Sequence, residues 1–268
     1  EQSQRVAAAR KAAEREADDL EKQLRIAREA EQPSTSKPTD PERERARLIA
    51  ARSLATQARL ICSAARLVSD KAPGLAEAEA AATELEKKLE ASPRPAPIDA
   101  AGRARAGCLS ALAKARRAGA HEPDQADLLL DELSRARVAE DTGKPGARPA
   151  PLSPSRDERG VVVTLRSLFR ADKLAPEGEA TLKELGRIAA AHPTFAVQVV
   201  VHDAQTPSAA EAALGKRRGE AVEKALAEAG VKRTKVEHAG ARAPVFDPAD
   251  ARRRDKNARV EIVFVGGG

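Results

Sequence analysis

Aromatic side chains are almost missing from this sequence of 268 residues, which holds four Phe and neither Trp nor Tyr. Proteins that bind single-stranded nucleic acid stack bases on such rings and gather basic charge along one stripe. Here the formal charge of +6 is shared about equally by the chain before and after residue 157. Nucleic acid is therefore not an expected partner, whereas a mildly basic surface suits anionic envelope polymers. Long apolar runs are also lacking. No stretch approaches the ~20 residues that span a bilayer, so neither a membrane span nor a membrane-held stator is expected. Met is absent throughout, so the initiator is gone. That fits a mature chain whose targeting segment has been removed as well as one otherwise trimmed, and the expectation leans towards export.

Cysteine is scarce. Cys62 and Cys108 have no CxxC spacing, which argues against zinc or thioredoxin-type chemistry. They are either two small buried residues on helix faces or a disulfide between antiparallel helices in an oxidising compartment. Closing that loop would stabilise the fold by roughly 4 kcal/mol on the chain-entropy account.

What is present is alanine and charge: 41% of residues are hydrophobic and 33% charged. Ala-rich charged sequence favours long helices in thin bundles or coiled coils. Residues 1–31 repeat Val6, Ala9, Ala13, Ala17, Leu20, Leu24 and Ala27 at helical steps and predict one long charged helix. QPSTSKPT at 32–39 is a linker, and Asp40-Pro41-Glu42 is a helix start. The spacing predicts an α-helical bundle over 40–140, with helices to about 69, over 75–91, from 99 to about 118, and from Pro123 through Leu128, Leu129, Leu130 and Leu133. DTGKPGARPAPLSPSR at 141–156 reads as an extended, semi-rigid tether.

From residue 157 the period changes. Val161, Val163 and Leu165 alternate as in a strand, a helix is predicted over 176–191, and a second strand over 195–201. A long helix over 208–229, a short strand near 236–238 and a last strand over 259–265 complete an α+β sandwich of βαβαββ type over 157–268, with both helices on one sheet face.

Two residues there point to chemistry. Asp203 falls where the second strand ends, and Arg218 sits beside the apolar stripe of the next helix, one turn after Leu214. A charge in that place needs a partner or a crevice, and ligands of open α/β sheets bind beyond the carboxyl ends of strands. A carboxylate and a guanidinium there would match a zwitterion, with Arg218 holding a carboxylate through two parallel hydrogen bonds. The other reading is an internal Asp–Arg pair that pins strand to helix.

RGVVVTLRSLFRADKLAPEGEATLKELGRIAAAHP, then VQVVVHD, LGKRRGEAVEKALAEAG and NARVEIVF resemble the OmpA-like peptidoglycan-binding domain over about 105 residues. The family closes its second strand with an Asp in a Gly-His-Thr-Asp-like motif and carries an Arg fifteen residues later in an LSxxRA-like motif. Asp203 and Arg218 stand at those places, with Leu214 at the leucine. The resemblance implies that these two hold the ammonium and carboxylate of meso-diaminopimelate in the wall stem peptide. His202, Asn257 and Arg259, at motif positions, complete the expected ligand-binding set. The sequence departs from the family's pattern with Val200, Val201 and His202 for Gly-His-Thr, Thr206-Pro207 for the usual turn glycine and Glu211 for the usual Asn. It also has Gly215 and Gly219 for Ser and Ala, and Ala258 inside Asn-Arg-Arg.

Other candidates are weaker. His202 and Asp203 are strand neighbours pointing to opposite faces and cannot act as a dyad. His121, His192 and His238 are scattered without metal-ligand spacing, Arg252–Arg254 reads as a solvated loop, and Gly215 and Gly219 lie inside a helix rather than before one. The expectation is a non-catalytic, cofactor-free periplasmic protein associated with cell wall or outer membrane. Its helical half would act as a spacer or dock an envelope partner, and oligomerisation would add avidity. The competing expectation is a helical interaction scaffold whose α+β domain has lost its ligand.

Overall fold

Pro41 does open a helix, α1 (Pro41–Val68), with Glu42 and Glu44 in its first turn and Arg66 in its last, the charge order that the helix dipole favours. The structure, a computed structural model, describes residues 41–118, 124–138, 150–170 and 172–266. The helix expected over 1–31, the linker at 32–39 with Asp40, His121 and the first part of the expected tether lie outside them.

Pro73 and Gly74 separate α1 from α2 (Leu75–Glu90). Gly74 has φ +80°, left-handed backbone that glycine adopts without a Cβ clash. Helices α3 (Ile98–Ala118) and α4 (Asp124–Arg135) follow. Strand β1 (Arg137–Val138) pairs with β2 (Ala150–Pro151) as a short antiparallel ribbon. Then come β3 (Ser155–Arg156), β4 (Gly160–Leu165) and a small hairpin of β5 (Phe169–Arg170) and β6 (Lys173–Leu174). Helix α5 (Pro176–Ala191), β7 (Phe195–His202), α6 (Ala209–Glu228), β8 (Thr234–Gly240) and β9 (Arg259–Gly266) complete the chain. From β4 onwards this is the expected βαβαββ succession. The sheet order is β3-β4-β9-β7-β8, with β7 and β8 parallel and the other neighbours antiparallel.

Every residue of β7 and β9 is buried, because the sheet is covered on both faces. On one face Val161, Val163, Val197, Val199, Ile262 and Phe264 pack on α5 and α6 through Leu182, Leu185, Ile188, Val222 and Leu226. On the other, Ala64 meets Val162, Val263 and Val265, and Leu60 meets Val200 and Ala239. Helix α1 thus has two buried sides. Ala51, Ala55, Ala58, Ile61 and Ala65 face α2 and α3, while Leu60 and Ala64 face the sheet. Small side chains let a helix be approached closely from both directions. Cys62 and Cys108 are joined in a disulfide that ties α1 to α3, with Cα atoms 4.8 Å apart.

Two segments sit differently from the sequence reading. Helix α4, grouped there with the bundle, places Leu129 and Leu133 in the α+β core beside Val138 and Leu152. Large leucines find large partners there, which an Ala-lined bundle does not offer. Residues 150–151 and 155–156 of the expected tether are strands β2 and β3, hydrogen-bonded to neighbours. The bundle is also tied to the sheet by polar contacts. Ser63 Oγ donates to Glu237 at 2.6 Å, Arg59 pairs with Glu237, and Arg116 donates to the Arg159 carbonyl at 2.7 Å. Burial alone would push the Glu237 carboxyl up. The Ser63 hydrogen bond and the Arg59 and Lys235 charges hold it below its ordinary value.

Candidate functional site

The alternation along β7 decides where its end points. Val197, Val199 and Val201 face the helices, so Asp203, next in that period, continues towards α6, while His202 turns to the opposite face. The β7–β8 register shifts at this point: Val201 pairs with His238, and His202 with Gly240. The Asp203 amide donates to the Gly240 carbonyl at 3.0 Å. The chain then enters α6 through a capping box in which Glu211 N donates to Ser208 Oγ at 3.3 Å and Ser208 N to Glu211 Oε2 at 2.8 Å.

Beyond the strand ends lies a cavity of about 410 Å³ whose walls include Phe169, Asp203, Pro207, Leu214, Arg218 and Arg259. The Arg218 guanidinium carbon lies 5.3 Å from the centre of the Phe169 ring, a cation–π arrangement that props it on the β5–β6 hairpin. Asp203 Oδ2 lies 2.9 Å from His238 Nε2. Among the described residues Asp203 pairs with His238, not with Arg218. The two charges therefore border one hollow without neutralising each other, which opposes the reading of a strand-to-helix ion pair. A space of that size, with an anion and a cation on its walls, fits a small zwitterion.

The remaining residues read from the motifs behave differently. His202 and Arg259 reach the cavity wall but belong to a buried ionic cluster on the bundle side of the sheet. Arg259 Nε donates to Glu261 Oε1 at 3.0 Å, and its other nitrogens to the carbonyls of Asn257 and Ala243. Arg159 Nη2 donates to Glu261 Oε2 at 2.8 Å, and His202 Nε2 lies 3.2 Å from Glu261 Oε1. Burial would raise the Glu261 carboxyl. Contact with His202 and the guanidiniums of Arg159 and Arg259 hold it far below the carboxylate range. Burial also pushes the His202 imidazole down. Asn257 is a correction to the expected ligand set, since it does not line the cavity. Its Oδ1 accepts from the amides of Val245 and Phe246 at 2.8 Å, and its Nδ2 donates to the Phe246 carbonyl at 2.9 Å, which pins the loop before β9. Glu211, a departure that adds negative charge, spends its carboxylate on the start of α6, where the Ser208 amide holds it below its ordinary value.

Sequence reasoning missed His238 and Phe169. The first owes its place to the parallel register of β7 and β8, which sets it beside a residue 35 positions earlier, and the second to a hairpin of two-residue strands too short to show a period. No local pattern announces either. Among the described residues no group of three or more His, Cys, Asp or Glu could hold a metal ion. No described helix is long and apolar enough to cross a membrane.

No family model and no curated protein matches this chain. Among solved structures it is similar to a putative MotB-like protein from Desulfovibrio vulgaris, at 22% identity and TM-score 0.39 over 44% of this chain and 80% of that one. It is also similar to the periplasmic domain of Helicobacter pylori MotB, residues 90–256, at 21% identity and TM-score 0.39 over 49% and 86% of the two chains. A third is the cell wall anchor of the T6SS from Pseudomonas aeruginosa, at 25% identity and TM-score 0.37 over 42% and 87%.

Proposed function

We propose that the α+β domain is a non-catalytic binding module for peptidoglycan that grips the diaminopimelate of the stem peptide between Asp203 and Arg218. The observation that carries this reading is that an anion and a cation, from a strand end and a helix, line one cavity of about 410 Å³ without pairing to each other. The ligand ammonium goes to Asp203, and its carboxylate takes two parallel hydrogen bonds from Arg218, held at the right height by Phe169. Charge-assisted bonds of this kind contribute about 1.5–3 kcal/mol each, so the grip is specific and modest at a single site. The resemblance of the sequence blocks to OmpA-like domains implies these roles for the same two residues and so supports the reading. The Cys62–Cys108 disulfide supports an oxidising compartment such as the periplasm, where the wall lies.

Retention on purified sacculi tests the proposal. The protein is expected to co-sediment with them, and an Asp203→Ala, Arg218→Ala double variant to stay in the supernatant. Equal retention of the two would remove the site and favour the reading of a helical scaffold that meets an envelope partner through its bundle.

A further inference from the structure

We propose that His238 is a positioning residue of this site: it aims the Asp203 carboxylate into the cavity and weakens the capture of a cationic group when its own ring gains a proton. The inference rests on the ligand reading above and adds a residue that neither the motifs nor the resemblance supplies.

The geometry starts with α6. Four residues of helix advance ~6 Å, and two residues of strand advance ~6.6 Å. Gly215 and Gly219 can therefore stack, rung by rung, on His238 and Val236. They do. A Cβ placed on Gly215 would sit 2.5 Å from His238 Nε2, and one on Gly219 would sit 2.5 Å from a Val236 methyl. The two glycines bring α6 down onto β8, and the absence of a side chain at 215 is what leaves room for the imidazole. Held there, the ring presents Nε2 to Asp203 Oδ2 at 2.9 Å. One carboxylate oxygen is thereby engaged, and the other is left for a guest.

As a neutral tautomer with its proton on Nε2, the ring donates to Asp203 and leaves the full negative charge to attract an ammonium. Once protonated it donates equally well but adds a positive charge beside the place the ammonium must take. Asp203, just past the end of β7, is the anion that touches the ring. From α6 it meets Gly215, with Arg218 farther along the same helix. On its other side His238 borders a second cleft, of about 670 Å³. The charged groups there are Arg45 and Arg52 of α1, Glu86 and Glu90 of α2 and Arg242 after β8. Arg52 is committed to the Leu89 carbonyl, Glu86 is paired with Arg59, and Arg59 also donates to the His238 carbonyl. Glu237 is turned to the bundle side by Ser63 and Arg59, with Lys235 beside it.

The test is calorimetric titration of the full chain with a diaminopimelate-containing stem peptide at about pH 8 and about pH 5.5, joined to imidazole nitrogen NMR of the free protein. The spectrum should show His238 protonated on Nε2 at the higher pH. A like charge one contact away should weaken wild-type binding about fivefold to tenfold at the lower pH. His238→Gln, which keeps an N–H donor and cannot charge, should bind alike at both. His238→Ala should be several-fold weaker at the higher pH, and Gly215→Ala, which evicts the ring, should match it. Wild-type affinity in the alanine variant with the same pH profile would overturn the proposal and leave the ligand reading standing. So would a ring with Nε2 bare, or a pH dependence that survives in His238→Gln and so belongs to His202. No binding by the wild type at either pH would overturn the ligand reading itself, and this proposal with it.

Discussion

Gln198 Nε2, in the middle of β7, donates to the Leu60 carbonyl of α1 at 3.0 Å, and the side chain is fully buried between bundle and sheet. A central strand of valines would not carry an amide without a neighbour to receive it. The contact shows that the outer face of this sheet is an interior, and that bundle and α+β unit share one packed boundary.

Gln198→Ala should therefore cost about 2–3 kcal/mol, the sum of a small cavity and a lost buried hydrogen bond. Gln198→Leu should cost under about 1 kcal/mol, since it restores volume and the amide Oε1 has no hydrogen-bond partner among the described residues. Urea unfolding separates the two, and equal losses would mean the hydrogen bond dominates over packing.

The disulfide joins two residues 46 positions apart in the bundle. A Cys62→Ser, Cys108→Ser double variant should lose about 4 kcal/mol of stability, the loop-closure entropy that the unfolded chain regains. Wild-type protein should show the same drop under reductant once the bond, which is buried, has opened. Identical unfolding midpoints with and without the bond would mean that the Ala-lined core alone holds α1 to α3.

Acid should unfold this protein in two stages. The buried His202 imidazole resists protonation in the fold, so the unfolded chain takes that proton first. Stability begins to fall below about pH 6.5, the ordinary histidine value. Glu261 is held far below its ordinary range. Its contribution is complete above about pH 4.3 and is lost progressively as pH drops further, while the unfolded chain alone binds the proton. Glu261→Gln should flatten that lower limb. It should also cost about 3–5 kcal/mol at neutral pH, because Arg259 would stay buried without its anion, whereas Arg159 keeps Asp157. Stability curves from pH 3 to 8 check both statements, and an unchanged acid limb in the variant would assign it to other carboxylates.

Phe169→Ala should weaken binding of the stem peptide by about twofold to fivefold, the worth of a partly exposed cation–π contact, and Phe169→Tyr should restore it. Arg218→Lys should lose more, about tenfold, since an ammonium cannot grip both carboxylate oxygens at once. Calorimetry on the two variants ranks them, and the reverse order would move the carboxylate-binding role away from Arg218.

Much of the scaffold is legible in the sequence. Helix α5 was expected over 176–191 and runs over those residues. Helices α2 and α6 and strands β7 and β9 lie within a residue or two of their expected bounds. Punctuation by residues such as Pro41 and Pro73-Gly74 is local, and so is the switch from helical to strand period after residue 157. Asp203 and Arg218 were also legible as a pair, because charges next to an apolar stripe stand out in one dimension. What did not show was company. The phase of α1 revealed one apolar stripe, since alanines on its second side look the same whether they face water or the sheet.

The sequence by itself determined the main helices and the longer strands among the described residues, about where each of them stops, and which two charged residues sit at the rim of an apolar face. Those properties follow from period, composition and turn chemistry within a few residues of chain. Only the tertiary structure decided that the bundle lies on the sheet, that Asn257 serves a loop rather than a ligand, and that Asp203 keeps company with His238 while Arg218 leans on Phe169. Each of these depends on strand register and on how closely one backbone approaches another, quantities that couple residues tens of positions apart and leave no mark on the local pattern.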